Sequence, residues 1–213
     1  VFPGFYYWNS EASRWMGLVA STRPSLGVWV DAQDNILSNN SADQTLPGSN
    51  NVALGKETLG DKNEPSTNII AIGSGACHSD STSGDAYVVA IGKNTAYYNS
   101  GPYLNALGLE AAMNNKGTSV NAIGTYAGYS NTASDVNAMG LEAVYSNTGS
   151  DVNAFGNSAA KNNTGFEINA MGPNSCHSNT GDVINAMGLE SAYSNAGNDV
   201  NAFGVRAAQN NGL

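Results

Sequence analysis

The chain has 213 residues, of which 12% are charged and 41% apolar, with 25 glycines, 30 asparagines and a net charge of −9. This balance argues against nucleic acid or an anionic membrane surface as the main partner, since both attract basic patches, and no apolar run approaches the roughly 18 residues needed to span a bilayer. The apolar share is too high for a disordered chain and the charge too sparse for a coiled coil.

Residues 1–31 differ in composition from the rest. Phe5-Tyr-Tyr-Trp8, a polar segment Asn9–Ser13 and Arg14-Trp-Met-Gly-Leu-Val19 predict a strand, a turn and a strand. This aromatic hairpin holds Tyr6, Tyr7, Trp8 and Trp15, and Trp29 follows within Leu26–Val30. Two roles compete for these rings. They cap or dock the open end of a repeat array, which needs protection from edge pairing, or they stack on sugars. The cap is the leading reading. Residues 32–50, rich in Asp, Asn, Ser and Gln and ending in Pro47-Gly48, predict a connection into the remainder of the chain.

Residues 51–213 carry an internal repeat. Ala-[Ile/Leu/Met/Phe]-Gly occurs ten times, with its glycine at Gly55, Gly73, Gly92, Gly108, Gly124, Gly140, Gly156, Gly172, Gly188 and Gly204. The spacings are 18, 19 and then 16 seven times in succession. One asparagine column precedes the alanine at Asn105, Asn121, Asn137, Asn153, Asn169, Asn185 and Asn201. A second lies seven beyond the glycine, from Asn99 to Asn211.

Sixteen residues are too few for helical repeats. Val136-Asn-Ala-Met-Gly140 alternates with period two, which puts Val, Ala and Gly on one strand face and Asn and Met on the other. A short strand, a turn, a second short strand and another turn use the sixteen residues and close one coil of a parallel β-solenoid. The expected fold is therefore all-β, with ten coils stacked about 4.8 Å apart into a rod roughly 45–50 Å long. In-register stacking places each Asn over its equivalent, so both columns are expected to form amide ladders. The small Ala column suits a thin coil. A thin coil encloses only one face of its strand, so either the Val/Ala stripe or the large apolar stripe requires a partner, and a homotrimer about a symmetry axis is expected. The alternative is local twist that turns both columns inward.

Candidate chemistry is sparse. Cys77-His78-Ser79 and Cys176-His177-Ser178 occupy the same columns six coils apart, about 28 Å, beyond a disulfide or a shared metal site. The cysteines read as small apolar filler. Asp135, Asp151, Glu167 and Asp199, with Asp182 one place earlier, form a partial acid column, read as solvated turn acids rather than a calcium ladder. No catalytic residue, metal site or cofactor is expected, and the chain reads as non-enzymatic. The column five beyond the glycine, with its neighbours, offers Tyr97, Tyr98, Tyr126, Tyr129, Tyr145 and Tyr193 as a surface-binding strip, or simply as stacked rings.

Asn51-Val-Ala-Leu-Gly55, Ile69-Ile-Ala-Ile-Gly73 and Val88-Val-Ala-Ile-Gly92 resemble the Val-Ala-Ile-Gly repeats of YadA-like head domains, found in trimeric autotransporter adhesins and phage tail fibres. The resemblance covers residues 51–213 and implies a left-handed trimeric β-roll. The later copies, with Asn before Ala, are more similar to repeats of phage fibres and secreted bacterial proteins, and the aromatic hairpin resembles those placed ahead of such repeats. What it implies is a tail-fibre-like structural or adhesive segment, extracellular or on a virion surface. Its partners would be copies of itself, other appendage proteins and a host cell-surface glycan or protein. A bacterial trimeric surface adhesin or extracellular filament is the alternative. Ice binding ranks lower because threonine looks scattered. A start at Val1 without a leader pattern and an end at Leu213 without a polar cap predict a longer or processed precursor.

Overall fold

The computed structural model describes residues 6–9, 14–17, 28–31, 33–38, 48–60, 66–79, 81 and 84–212. Two short strands, β1 (Tyr6–Asn9) and β2 (Arg14–Gly17), pair antiparallel with Trp8 opposite Trp15, as the aromatic hairpin predicts. The side chains of Tyr6, Tyr7, Trp8 and Trp15, and so their proposed capping or docking contacts, lie outside the described residues.

The remaining strands form one sheet. They are β3 (Val28–Val30), β4 (Ile36–Ser38), β5 (Val52–Leu54), β6 (Ser66–Ile72), β7 (Gly84–Ile91), β8 (Leu104–Leu107), β9 (Val120–Ile123), β10 (Val136–Met139), β11 (Val152–Phe155), β12 (Ile168–Met171), β13 (Ile184–Met187) and β14 (Val200–Phe203). Their spatial order is their chain order, and every pair from β4 to β14 is parallel. Only consecutive coils stacked one on the next give that order, so the chain is a β-solenoid of sixteen-residue coils. Equivalent residues pair in register, Asn137 with Asn121 and Asn153, and Ala138 with Ala122 and Ala154.

The alternation reads out directly. Val136 and Ala138 are buried, Asn137 is half-buried and Met139 is exposed, and β9, β11 and β13 repeat this order. The buried Val and Ala columns meet small residues three and four beyond the glycine, such as Ala143 and Val144, in one continuous apolar core. Both columns therefore cannot turn inward, and the twisted-strand alternative is wrong.

Three expectations need correction. The far side of each coil is no strand. After Gly140 (φ 140°), Glu142, Val144 and Ser146 have φ of 55°, 58° and 53°, so left- and right-handed residues alternate. Their N–H groups donate outward, Glu142 to the Thr125 carbonyl, Val144 to Ala159 and Ser146 to Tyr129. The residues between close four-residue turns, with Tyr145 N–H donating to the Glu142 carbonyl. From β8 to β14 each coil is thus one four-residue strand and a run of turns bonded to both neighbours. Second, the roll starts inside the segment assigned as a connection. Ile36 pairs with Val52 and Leu37 with Ala53, while β3 adds antiparallel to β4 and covers that edge of the parallel sheet. Third, the ten motif copies delimit about nine turns rather than ten.

Candidate functional site

The outer face of the sheet carries the large residue of every motif. Leu54 and Ile72 are half-buried. The others are exposed, from 36% at Ile91 through Leu107, Ile123, Met139, Phe155, Met171 and Met187 to 64% at Phe203. Leu109, Leu141, Leu189 and Val205, two places on, are exposed too and widen the stripe at their coils. Beside it runs the strand asparagine ladder. Each amide Nδ2 donates to Oδ1 of the next coil, from Asn105 to Asn121 at 2.9 Å, on through Asn137, Asn153, Asn169 and Asn185, and from Asn185 to Asn201 at 3.0 Å.

The second asparagine column is a different object. Asn99, Asn115, Asn131, Asn147, Asn163, Asn179 and Asn195 are fully buried. From Asn115 on, their Nδ2 groups donate in the opposite direction, towards the preceding coil, at 2.9–3.0 Å. A second Nδ2 proton goes to the carbonyl two residues on, as from Asn147 to Gly149 at 2.7 Å. That residue is Gly101, Gly117, Gly149, Gly165, Gly181 and Gly197, and Ala133 once. In the structure a Cβ at Gly165 would run into the Gly181 carbonyl and the Asn179 amide.

The tyrosines do not form one strip. Tyr129 stacks on Tyr145 with centroids 4.8 Å apart, and His78 on Tyr97 and His177 on Tyr193 at 4.8 and 4.9 Å. Tyr98 meets Tyr97 edge-on, and Tyr126 stands at 73° to Tyr129. Met113 and Lys161 interrupt the column. Lys161 Nζ lies 5.0 Å over the Tyr145 ring and 2.7 Å from Glu142 Oε2, and the hydrogen bond from Lys161 holds the Glu142 carboxyl below its ordinary range. Tyr126, Tyr129 and Tyr145 line a groove of about 420 Å³ together with Glu110 and Glu142.

The Cys-His pairs stay apart. Cys77 and Cys176 are buried, and burial pushes the Cys176 thiol up to about 12, so it stays protonated and inert at neutral pH. Asp135, Asp151, Glu167 and Asp199 sit in the left-handed position before the strand, with φ of 53–58°, a conformation that the short side chain of Asp tolerates. No group of three or more His, Cys, Asp or Glu side chains suited to a metal occurs among the described residues.

His177 is a pH-sensitive element among the described residues. Burial, reinforced by the Lys161 charge, holds its imidazole below its ordinary range, while Nδ1 shares a 3.0 Å hydrogen bond with Ser178 Oγ. The unfolded chain then takes up the proton at a higher pH than the folded one. Stability from this site is complete above about pH 6.5 and is lost as pH falls through the folded value. Thermal melts between pH 7 and pH 5 should show a smaller fall in Tm for His177→Gln than for the parent. An equal fall would locate the sensitivity elsewhere.

No family model, curated protein or solved structure matches the chain.

Proposed function

We propose that the chain is a non-enzymatic fibre segment, tail-fibre-like, in which three solenoids associate side by side through their outer sheet faces. The observation that carries this is the exposed apolar column, unbroken from Ile91 to Phe203. Water-exposed monomers seldom keep continuous apolar patches beyond a few hundred Å². A matching partner must offer apolar groups at the same interstrand step of about 4.8 Å along the whole length, and another copy in parallel register does so. The stripe is narrow, flanked by the polar asparagine ladder. Three such stripes meeting at an axis enclose one another, whereas two leave a flank wet.

Exposed groups that repeat from coil to coil favour display over catalysis. The rod would project or form a receptor-binding surface, outside the cell or on a virion, joined to other appendage proteins and aimed at a host glycan or protein. A bacterial surface adhesin or filament uses the same geometry, and a downstream membrane-anchor barrel in the full-length protein would select it. For ice binding, Thr132, Thr148, Thr164 and Thr180 do share one exposed column, but it stands singly rather than in pairs, and thermal hysteresis tests it.

Sedimentation equilibrium at micromolar concentration should give three times the 21.9 kDa chain mass. Replacing Met139 and Phe155 together by lysine should weaken association at least tenfold and leave the solenoid folded, since both side chains point away from the core. A parent protein that sediments as a single 21.9 kDa species refutes the proposal.

A further inference from the structure

The position two beyond the motif glycine is a glutamate in four coils: Glu57, Glu110, Glu142 and Glu190. Three of them hold a cation of this chain. Lys56 lies 3.2 Å from Glu57, Lys161 2.7 Å from Glu142 and Arg206 2.7 Å from Glu190. Glu110 has no ion pair among the described residues, and it is this one that opens onto the groove with Tyr126, Tyr129, Glu142 and Tyr145.

Register explains the difference. Lys161 is nineteen residues beyond Glu142, one coil on and in the column five beyond the glycine. The residue in the same relation to Glu110 is Tyr129. Where the Glu142 coil finds an ammonium, the Glu110 coil finds an aromatic ring. Tyr126 lies in the glutamate column itself, one coil after Glu110 and one before Glu142, so two carboxylates bracket its ring about 9.6 Å apart, two interstrand steps. Tyr129 and Tyr145 stack across the coils, and Tyr126 stands edge-on to Tyr129 at 73°. The groove therefore combines carboxylates with aromatic surface, the pairing that attracts organic cations. Lys161, seated over Tyr145 and against Glu142, shows the same combination filled from within.

We propose that the groove bounded by Glu110, Tyr126, Tyr129, Glu142 and Tyr145 binds a cationic side chain, lysine or arginine, presented by a partner protein. The site lies on the turn run rather than the sheet face and requires only one solenoid, so it stands whether or not the chains associate. A shallow groove with one unpaired carboxylate binds weakly, with a Kd on the order of 10 mM. Display along a multivalent rod would multiply that into useful avidity.

Tyrosine ring resonances of the full chain are followed by NMR during titration with the tripeptides Gly-Lys-Gly and Gly-Arg-Gly, Gly-Lys-Gly acetylated on its side chain, spermidine and methyl glucoside. The expected result is saturable shifts with the two basic tripeptides and at least tenfold weaker binding of the acetylated peptide and the glucoside. Glu110→Gln should weaken binding about fivefold or more, and Glu57→Gln, which removes the same charge outside the groove, should not. Tyr129→Lys should abolish it by supplying the internal cation that Glu142 already has. Equal binding by the parent and Glu110→Gln, equal binding of the acetylated peptide or the sugar, or binding of spermidine alone would each overturn the proposal.

Discussion

Gly156→Ala should lower the melting temperature by roughly 10 °C, while Gly204→Ala should cost about half of that. Both glycines occupy the same motif position with positive φ, 144° and 117°, where an L side chain is strained by about 1–3 kcal/mol. They differ in what lies above them. A Cβ at Gly156 would stand 2.6 Å from the Gly172 carbonyl oxygen and 2.7 Å from its carbon, whereas no atom lies within 4 Å of the same position at Gly204. The obstacle at Gly156 is backbone, held by the hydrogen bonds of the next coil, so it cannot swing aside like a side chain. Prising two coils apart adds an overpacking cost of about 1–3 kcal/mol. The sum, about 4 kcal/mol, is a large part of the 5–15 kcal/mol that holds a typical domain. At 2–4 °C per kcal/mol for a chain of this size it gives the stated shift. Circular dichroism melts of the two variants separate dihedral strain from coil contact. Equal losses would mean that coil spacing does not set the glycine requirement.

The strands and their facing were legible because two signals agree in them, period two within the strand and period sixteen between strands. The far side of the coil was not. Val144 and Leu59 adopt φ of 58° and 52°, which their branched side chains disfavour. Small and polar residues alternate there much as in a strand. Stacking overrides the local preference, because every second N–H in the run, that of the left-handed residue, finds a carbonyl in the coil above or below, and those between close turns within the coil. The first parallel strand escaped for another reason. Ile36-Leu37-Ser38 lacks the Ala-Gly signature, although Asn35 stands sixteen residues before Asn51 and accepts its N–H at 2.9 Å. That spacing was the available signal. The unpaired state of Glu110 was beyond sequence reasoning, since it emerges only when the cation partners of Glu57, Glu142 and Glu190 are located in space.

The two asparagine ladders should differ sharply in what they contribute, although the sequence presents them as equals. Asn147→Ala is expected to cost about 3–5 kcal/mol and Asn153→Ala about 1 kcal/mol or less. Asn147 is fully buried. Its Nδ2 donates to Asn131 Oδ1 and the Gly149 carbonyl, and its Oδ1 accepts from Asn163 Nδ2 at 2.9 Å. Truncation strands polar groups on all three partners where water does not reach, and each orphan costs about 1–3 kcal/mol. Asn153 accepts from Asn137 at 2.8 Å and donates to Asn169 at 3.0 Å, but it sits on the solvent side of the strand, so water replaces what is lost. Asn147→Asp sharpens the test through its sign. An ionised carboxylate there cannot donate to Asn131 Oδ1 and must lie dry, so folding should raise its pKa. The variant should be least stable at neutral pH and regain stability as the pH falls and the carboxyl is protonated, opposite to the parent chain's expected loss through His177. Denaturant unfolding of the three variants at pH 7 and pH 5 measures this. Comparable losses for Asn147→Ala and Asn153→Ala would show that the inner ladder is hydrated and that its burial does not lock the stack.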